Sequence, residues 1–153
     1  MAKPFTVTRS TTINAAPAEI HTLVNNFHHW LAWSPWEGLD PHLERTYAGP
    51  DAGNGASYAW TGNKAAGAGT MKITGSTPEQ IDIDLALTKP FKSEQKVTFT
   101  LAEVGAGKTM VTWRMDGSLN PLMSLVDRFK SMESMIAPDL EKGLTQLKAA
   151  AES

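Results

Sequence analysis

From Phe5 to Ile13 the residues Phe5, Val7, Thr11 and Ile13 share one side of a period-2 pattern, which predicts a half-buried strand. Asn14-Ala15-Ala16-Pro17 ends that pattern, and Pro17 suits the first turn of a helix. Ile20, Leu23, Val24 and Phe27 then fall at helical spacing, predicting a short amphipathic helix from Pro17 to Asn26. The tryptophan-bearing segment that follows reads as a second short helix, limited by Pro35. From Leu43 to Gly117 the period returns to two. Leu43/Arg45/Tyr47, Ala56/Tyr58/Trp60, Met71/Ile73, Ile81/Ile83/Leu85/Leu87, Val97/Phe99/Leu101 and Val111/Trp113/Met115 are each set off by glycine or proline turn signals.

Beyond Asn120 the period becomes helical again. Leu122, Val126, Phe129, Met132, Ile136, Leu140, Leu144 and Leu147 form one long stripe, with Asn120 and Pro121 as a credible cap and first residue. Pro138 removes one backbone donor from that helix, which predicts a kink or break near Ser134 to Ala137. Ala149-Ala150-Ala151 is expected to fray. An antiparallel sheet of about seven strands with one apolar face needs a cover, and the terminal helix is the long amphipathic element available. The predicted architecture is α+β: a curved sheet gripping a C-terminal helix, with two short helices between strands 1 and 2.

The segment from Trp30 to Trp36 carries three of the five tryptophans. Three large apolar faces, each with one N–H to satisfy, suggest the mouth of an apolar cavity or a core plug. The expected interior takes Tyr58, Trp60, Met71, Ile73 and Leu85 from the earlier strands. Phe99, Trp113 and Met115 come from the later ones, Phe129, Met132 and Ile136 from the helix, and Trp36 stands at the opening. Methionine and tryptophan adapt to ligands of varied shape, so this interior points to a container for a small hydrophobic molecule.

Composition narrows the classes further. A chain of 153 residues with 41% hydrophobic and 20% charged residues and a net charge of −2 describes one ordinary globular domain over 1–153. It has no basic surfeit for nucleic acid. No run has the length of a membrane span, and the N-terminal residues alternate instead of building an apolar signal segment. The lack of cysteine removes disulfides and thiolate chemistry and fits the cytoplasm.

Several motifs lose their chemical reading on context. Ala102-Glu103-Val104-Gly105-Ala106-Gly107-Lys108-Thr109 satisfies a loose phosphate-loop pattern, yet a strand follows where a helix N-terminus is required, so a glycine-rich hairpin is expected. His21, His28, His29 and His42 lack metal-ligand spacing, and neither a metal nor a cofactor is expected. Ser34 lacks the glycines of a nucleophile elbow. Arg9 and Arg45 share parity with apolar neighbours, so either would face the interior, where a guanidinium implies a carboxylate partner or an anionic ligand group. Glu37, Asp40 and Tyr58 complete the candidate acid/base groups.

The chain resembles the START-like, or SRPBCC, superfamily and within it the bacterial polyketide cyclase/dehydrase-like branch. The resemblance is carried by Ile13-Asn14-Ala15-Ala16-Pro17-Ala18-Glu19-Ile20, Trp33-Ser34-Pro35-Trp36, Asp40-Pro41, Gly53-Asn54-Gly55-Ala56, Tyr58-Ala59-Trp60-Thr61-Gly62-Asn63, Lys108 to Trp113 and Leu140-Glu141-Lys142-Gly143-Leu144. It covers nearly the whole chain and implies an internal cavity between sheet and helix. The expected function is binding of a small hydrophobic or aromatic molecule by a monomer or homodimer. The alternatives are a cyclase, aromatase or dehydratase and a chaperone-activator-like interaction module.

Overall fold

The computed structural model describes residues 3–36, 38, 40–64, 66–89, 92–119 and 132–153. Strand β1 (Lys3–Ile13) leads into helix α1 (Pro17–Val24) and a 3-10 helix (Phe27–Ala32). Strands β2 (Glu44–Ala48), β3 (Ser57–Thr61), β4 (Ala68–Thr77), β5 (Gln80–Lys89), β6 (Ser93–Gly105) and β7 (Lys108–Leu119) follow. Helix α2 (Met132–Glu152) closes the order. All seven strands form one antiparallel sheet in the order β1-β7-β6-β5-β4-β3-β2.

The registers set the inner-face side chains in rows that cross the sheet. Ile73, Ile83, Val97, Met115 and Val7 pair in sequence across five strands, and all are buried. Such rows let side chains on adjacent strands pack directly across the ladder. A second row begins at Ile81, Phe99 and Trp113 and reaches Arg9 on edge strand β1. The rings of Phe99 and Trp113 lie 4.8 Å apart, and Trp33 meets both nearly edge-on, at 6.0 and 5.8 Å. Register shifts in β4 at Ala68/Gly69 and Ile73/Gly75 mark irregularities of the bulge kind, which increase twist and bend a strand.

Two tryptophans finish α1. The indole of Trp30 donates to the carbonyl of Val24 at 2.8 Å, and that of Trp33 to the carbonyl of Leu23 at 2.9 Å. These are carbonyls of the last turn, which have no partner within a helix. The same side chains therefore satisfy the helix end and fill the core beneath it.

Two sequence expectations change. Helix α2 is continuous through Pro138, so of the kink or break expected there the break is absent. Pro138 and Ser134 both lie on its exposed side, where water can replace a lost backbone bond. The alanine-rich end stays helical to Glu152, because Ala150 and Ala151 pack against the core and Glu152 accepts the backbone N–H of Asn14 at 2.8 Å. The phosphate-loop-like segment is the expected hairpin, with its turn residue Gly107 at φ +68° and Lys108 in β7. The cap expected at Asn120, and Phe129 with the first part of the helical stripe, lie outside the described residues.

Candidate functional site

A cavity of about 530 Å³ lies between the sheet and the first described half of α2. Its floor follows from strand register. One row runs Tyr58–Met71–Leu85–Gln95 across β3 to β6, and the next runs Trp60–Gly69–Leu87. Met115 extends the floor onto β7, while Ile136, Asp139 and Lys142 of α2 form the opposite wall. Trp30, Ser34, Pro35 and Trp36 close one side, and Leu43, Lys64, Ala66 and Lys89 reach the cavity from loops and a strand end.

Small residues hold the aromatic walls in place. A Cβ on Gly69 would come within 2.7 Å of the Trp60 ring and 2.5 Å of the Ala86 carbonyl oxygen, so the indole needs glycine there. Trp60 also donates to the Ala66 carbonyl at 3.0 Å. The rings of Tyr58 and Trp60 lie 5.9 Å apart and nearly parallel. On the helix side, the Trp36 indole donates to Oδ2 of Asp139 at 3.4 Å. The Trp36 backbone N–H meets the buried hydroxyl of Ser34 at 3.3 Å.

Of the residues anticipated as ligand-binding, Trp36, Tyr58, Trp60, Met71, Leu85, Met115 and Ile136 line the cavity. Ile73, Phe99 and Trp113 are instead fully buried in the packed core. Phe129 is outside the described residues, as is the side chain of Met132. The polar candidates fall elsewhere. Arg9 stands on the inner-face row but turns to Glu141 on α2, with Nε 3.5 Å from Oε1, and its Nη1 donates to the Thr8 carbonyl at 2.7 Å. Arg45 sits opposite Trp60 on β2 with its Nε shielded from solvent, outside the cavity lining. Asp40 accepts the backbone N–H groups of His42 and Asn63, both at 2.8 Å, which ties the approach to β2 to the β3–β4 turn. Glu37 lies outside the described residues.

The histidines take structural positions. His21 Nε2 lies 3.3 Å from the hydroxyl of Ser76, His28 stacks on Tyr47 at 3.8 Å, and His29 Nδ1 lies 2.8 Å from the Thr22 carbonyl. Among the described residues, no group of three or more histidine, aspartate or glutamate side chains is placed to hold a metal ion.

Gln95, Asp139, Lys64, Lys89 and Lys142 are cavity residues that the sequence reading did not single out. Gln95 shares the parity of Val97 and Phe99, and Lys89 that of Leu85 and Leu87, so a signal existed for both. Asp139 and Lys142 lie three and six residues beyond Ile136 on α2, and only docking of the helix reveals which of its faces meets the cavity.

A curved antiparallel sheet closed over a long helix, with an apolar cavity between them, defines a helix-grip protein. Residues 4–152 match the family described as polyketide cyclase / dehydrase and lipid transport, and the chain belongs to that family, within the SRPBCC superfamily. Solved structures share the fold. A protein of Chromobacterium violaceum is 16% identical with a TM-score of 0.69, covering 97% of this chain and 98% of that one. Norcoclaurine synthase from Thalictrum flavum, in complex with dopamine and hydroxybenzaldehyde, is 12% identical with a TM-score of 0.69, covering 99% and 90%. A protein of Mesorhizobium loti is 14% identical with a TM-score of 0.68, covering 95% of each chain. No curated protein matches the sequence closely enough to stand as a relative.

Proposed function

We propose that this chain, as one START-like domain over residues 1–153, binds a small hydrophobic or aromatic molecule in the cavity between the sheet and α2. The observation that carries the reading is the cavity itself: about 530 Å³ of space walled by Trp36, Tyr58, Trp60, Met71, Leu85 and Ile136. Small-molecule sites typically enclose roughly 300–1,000 Å³ behind mainly apolar and aromatic walls. Family membership and the aromatic ligands held by norcoclaurine synthase on the same fold support it. The absence of cysteine fits a cytoplasmic carrier, acting as a monomer or homodimer.

The test is quenching of tryptophan fluorescence by fatty acids, flavonoids and polyketide-like aromatics, with native mass spectrometry of the purified protein. A saturable quench that Trp60→Ala weakens is expected. No bound mass and no quench by any class would overturn the reading and shift weight to an interaction module.

A second reading is turnover of the bound molecule, as by a cyclase or dehydratase. It is favoured by the placement of Tyr58, Gln95 and Asp139 in the cavity lining, since proton transfer needs such groups within reach of the reacting atoms. Mass change of a bound ligand during incubation, abolished in Asp139→Asn with binding retained, is the outcome that would establish it.

A further inference from the structure

The cavity lining brings together three lysines that lie far apart in the sequence. Lys64 lies between β3 and β4, Lys89 ends β5, and Lys142 is on α2, yet all three line the same cavity. All three are exposed, and among the described residues none of their side-chain ammonium groups takes part in an ion pair or hydrogen bond. The one carboxylate in the described lining is Asp139, which accepts the Trp36 indole. A chain with a net charge of −2 thus places, among the described residues, three cations against one anion around a mainly apolar space.

We infer that the cavity takes amphiphilic anions: molecules with an apolar alkyl or aromatic body and a carboxylate head, held with the head at Lys64, Lys89 and Lys142. This deepens, and rests on, the proposed binding function. The body lies against Met71, Leu85 and Met115, where removal from water supplies the affinity. The head stays at the rim, where a lysine ammonium on a flexible stem follows a carboxylate without either charge being buried. A neutral analogue gains only the first contribution. A cationic one meets repulsion from all three lysines. Because the charges are solvent-exposed, the preference must weaken as salt screens it, over a Debye length of about 8 Å at physiological ionic strength.

The experiment is isothermal titration calorimetry of the full chain with decanoate, decanol and decyltrimethylammonium, and with 2-naphthoate and 2-naphthalenemethanol, at low and high salt. The acids are expected to bind about tenfold more tightly than the matched alcohols, as exposed charge pairs acting together allow. That advantage should shrink at high salt and disappear in the triple variant Lys64→Gln, Lys89→Gln, Lys142→Gln, in which each acid binds no better than its matched alcohol. Comparison of the decanoate and naphthoate arms distinguishes an alkyl from an aromatic body, and a preference of either acid over its alcohol supports the inference. The salt response of the unaltered protein tests the same point if the triple variant does not fold. Alcohols binding as tightly as acids, or the ammonium binding best, would overturn the head-group inference and leave the cavity reading standing. No binding by any of the five probes would overturn both.

Discussion

The indole N–H of Trp36 points to Oδ2 of Asp139 at 3.4 Å, joining the segment that follows the 3-10 helix to α2 beside the cavity. Both residues line that cavity, and the Trp36 ring also meets Trp113 edge-on at 5.7 Å. The contact is therefore a polar latch on an apolar wall. Trp36→Phe removes the donor and keeps an aromatic ring, so stability should fall by about 1 kcal/mol or less. Ligand release, followed by stopped-flow fluorescence, should accelerate. An unchanged release rate would show that the latch does not hold the wall closed.

The caps on α1 give a second expectation. In Trp33→Phe the Leu23 carbonyl loses its donor, while most of the buried ring is retained. The loss should be about 1 kcal/mol in urea unfolding, the net scale of one hydrogen bond, since this carbonyl is part-buried. A variant as stable as the parent would mean that water reaches that carbonyl.

At Gly143 two effects oppose each other. Alanine favours a helix interior by about 1 kcal/mol. Its Cβ, however, would lie 2.6 Å from the Trp113 ring and 3.0 Å from Pro35, both buried. Overpacking on this scale typically costs about 1–3 kcal/mol, so Gly143→Ala should destabilise despite its better propensity. A raised urea midpoint would reject close packing of α2 on Trp113.

Glu152 sets an acid-side pH dependence. The Asn14 backbone N–H, and after it Lys148, hold its carboxyl below its ordinary value of 4.5. With the folded value depressed, the unfolded chain takes up the proton more readily, so this contribution is present above about 4.5 and is lost as pH falls through the folded value. Asp116, held down first by Arg114 and also by Thr6, acts in the same sense. Glu152→Gln should lower the melting temperature at about pH 7 and make progressively less difference toward about pH 3. An equal deficit at both pH values would indicate packing as the cause.

The strands, the turns between them and the terminal helix were legible because side-chain period reports local geometry. Ile81, Ile83 and Leu85 can bury one face only as a strand. Even the hairpin at Gly105 to Lys108 could be told from a phosphate loop by the strand pattern of Val111 and Trp113 that follows. Period alone did not separate cavity wall from packed core. Met71 and Ile73 have the same parity on the same strand, yet Met71 lines the cavity and Ile73 is sealed within the core.

The sequence by itself determined which residues face inward, because alternation and helical spacing are properties of a single segment. It also carried the family, through motifs spread along nearly the whole chain. Tertiary structure decided the rest, because a cavity is volume that several segments together leave unfilled. Register placed Gln95 beside Leu85, and docking of α2 brought Asp139 to Trp36 across about a hundred residues of chain. The same assembly turned Arg9 toward Glu141 and brought Lys64, Lys89 and Lys142, from three separate segments, to one cavity.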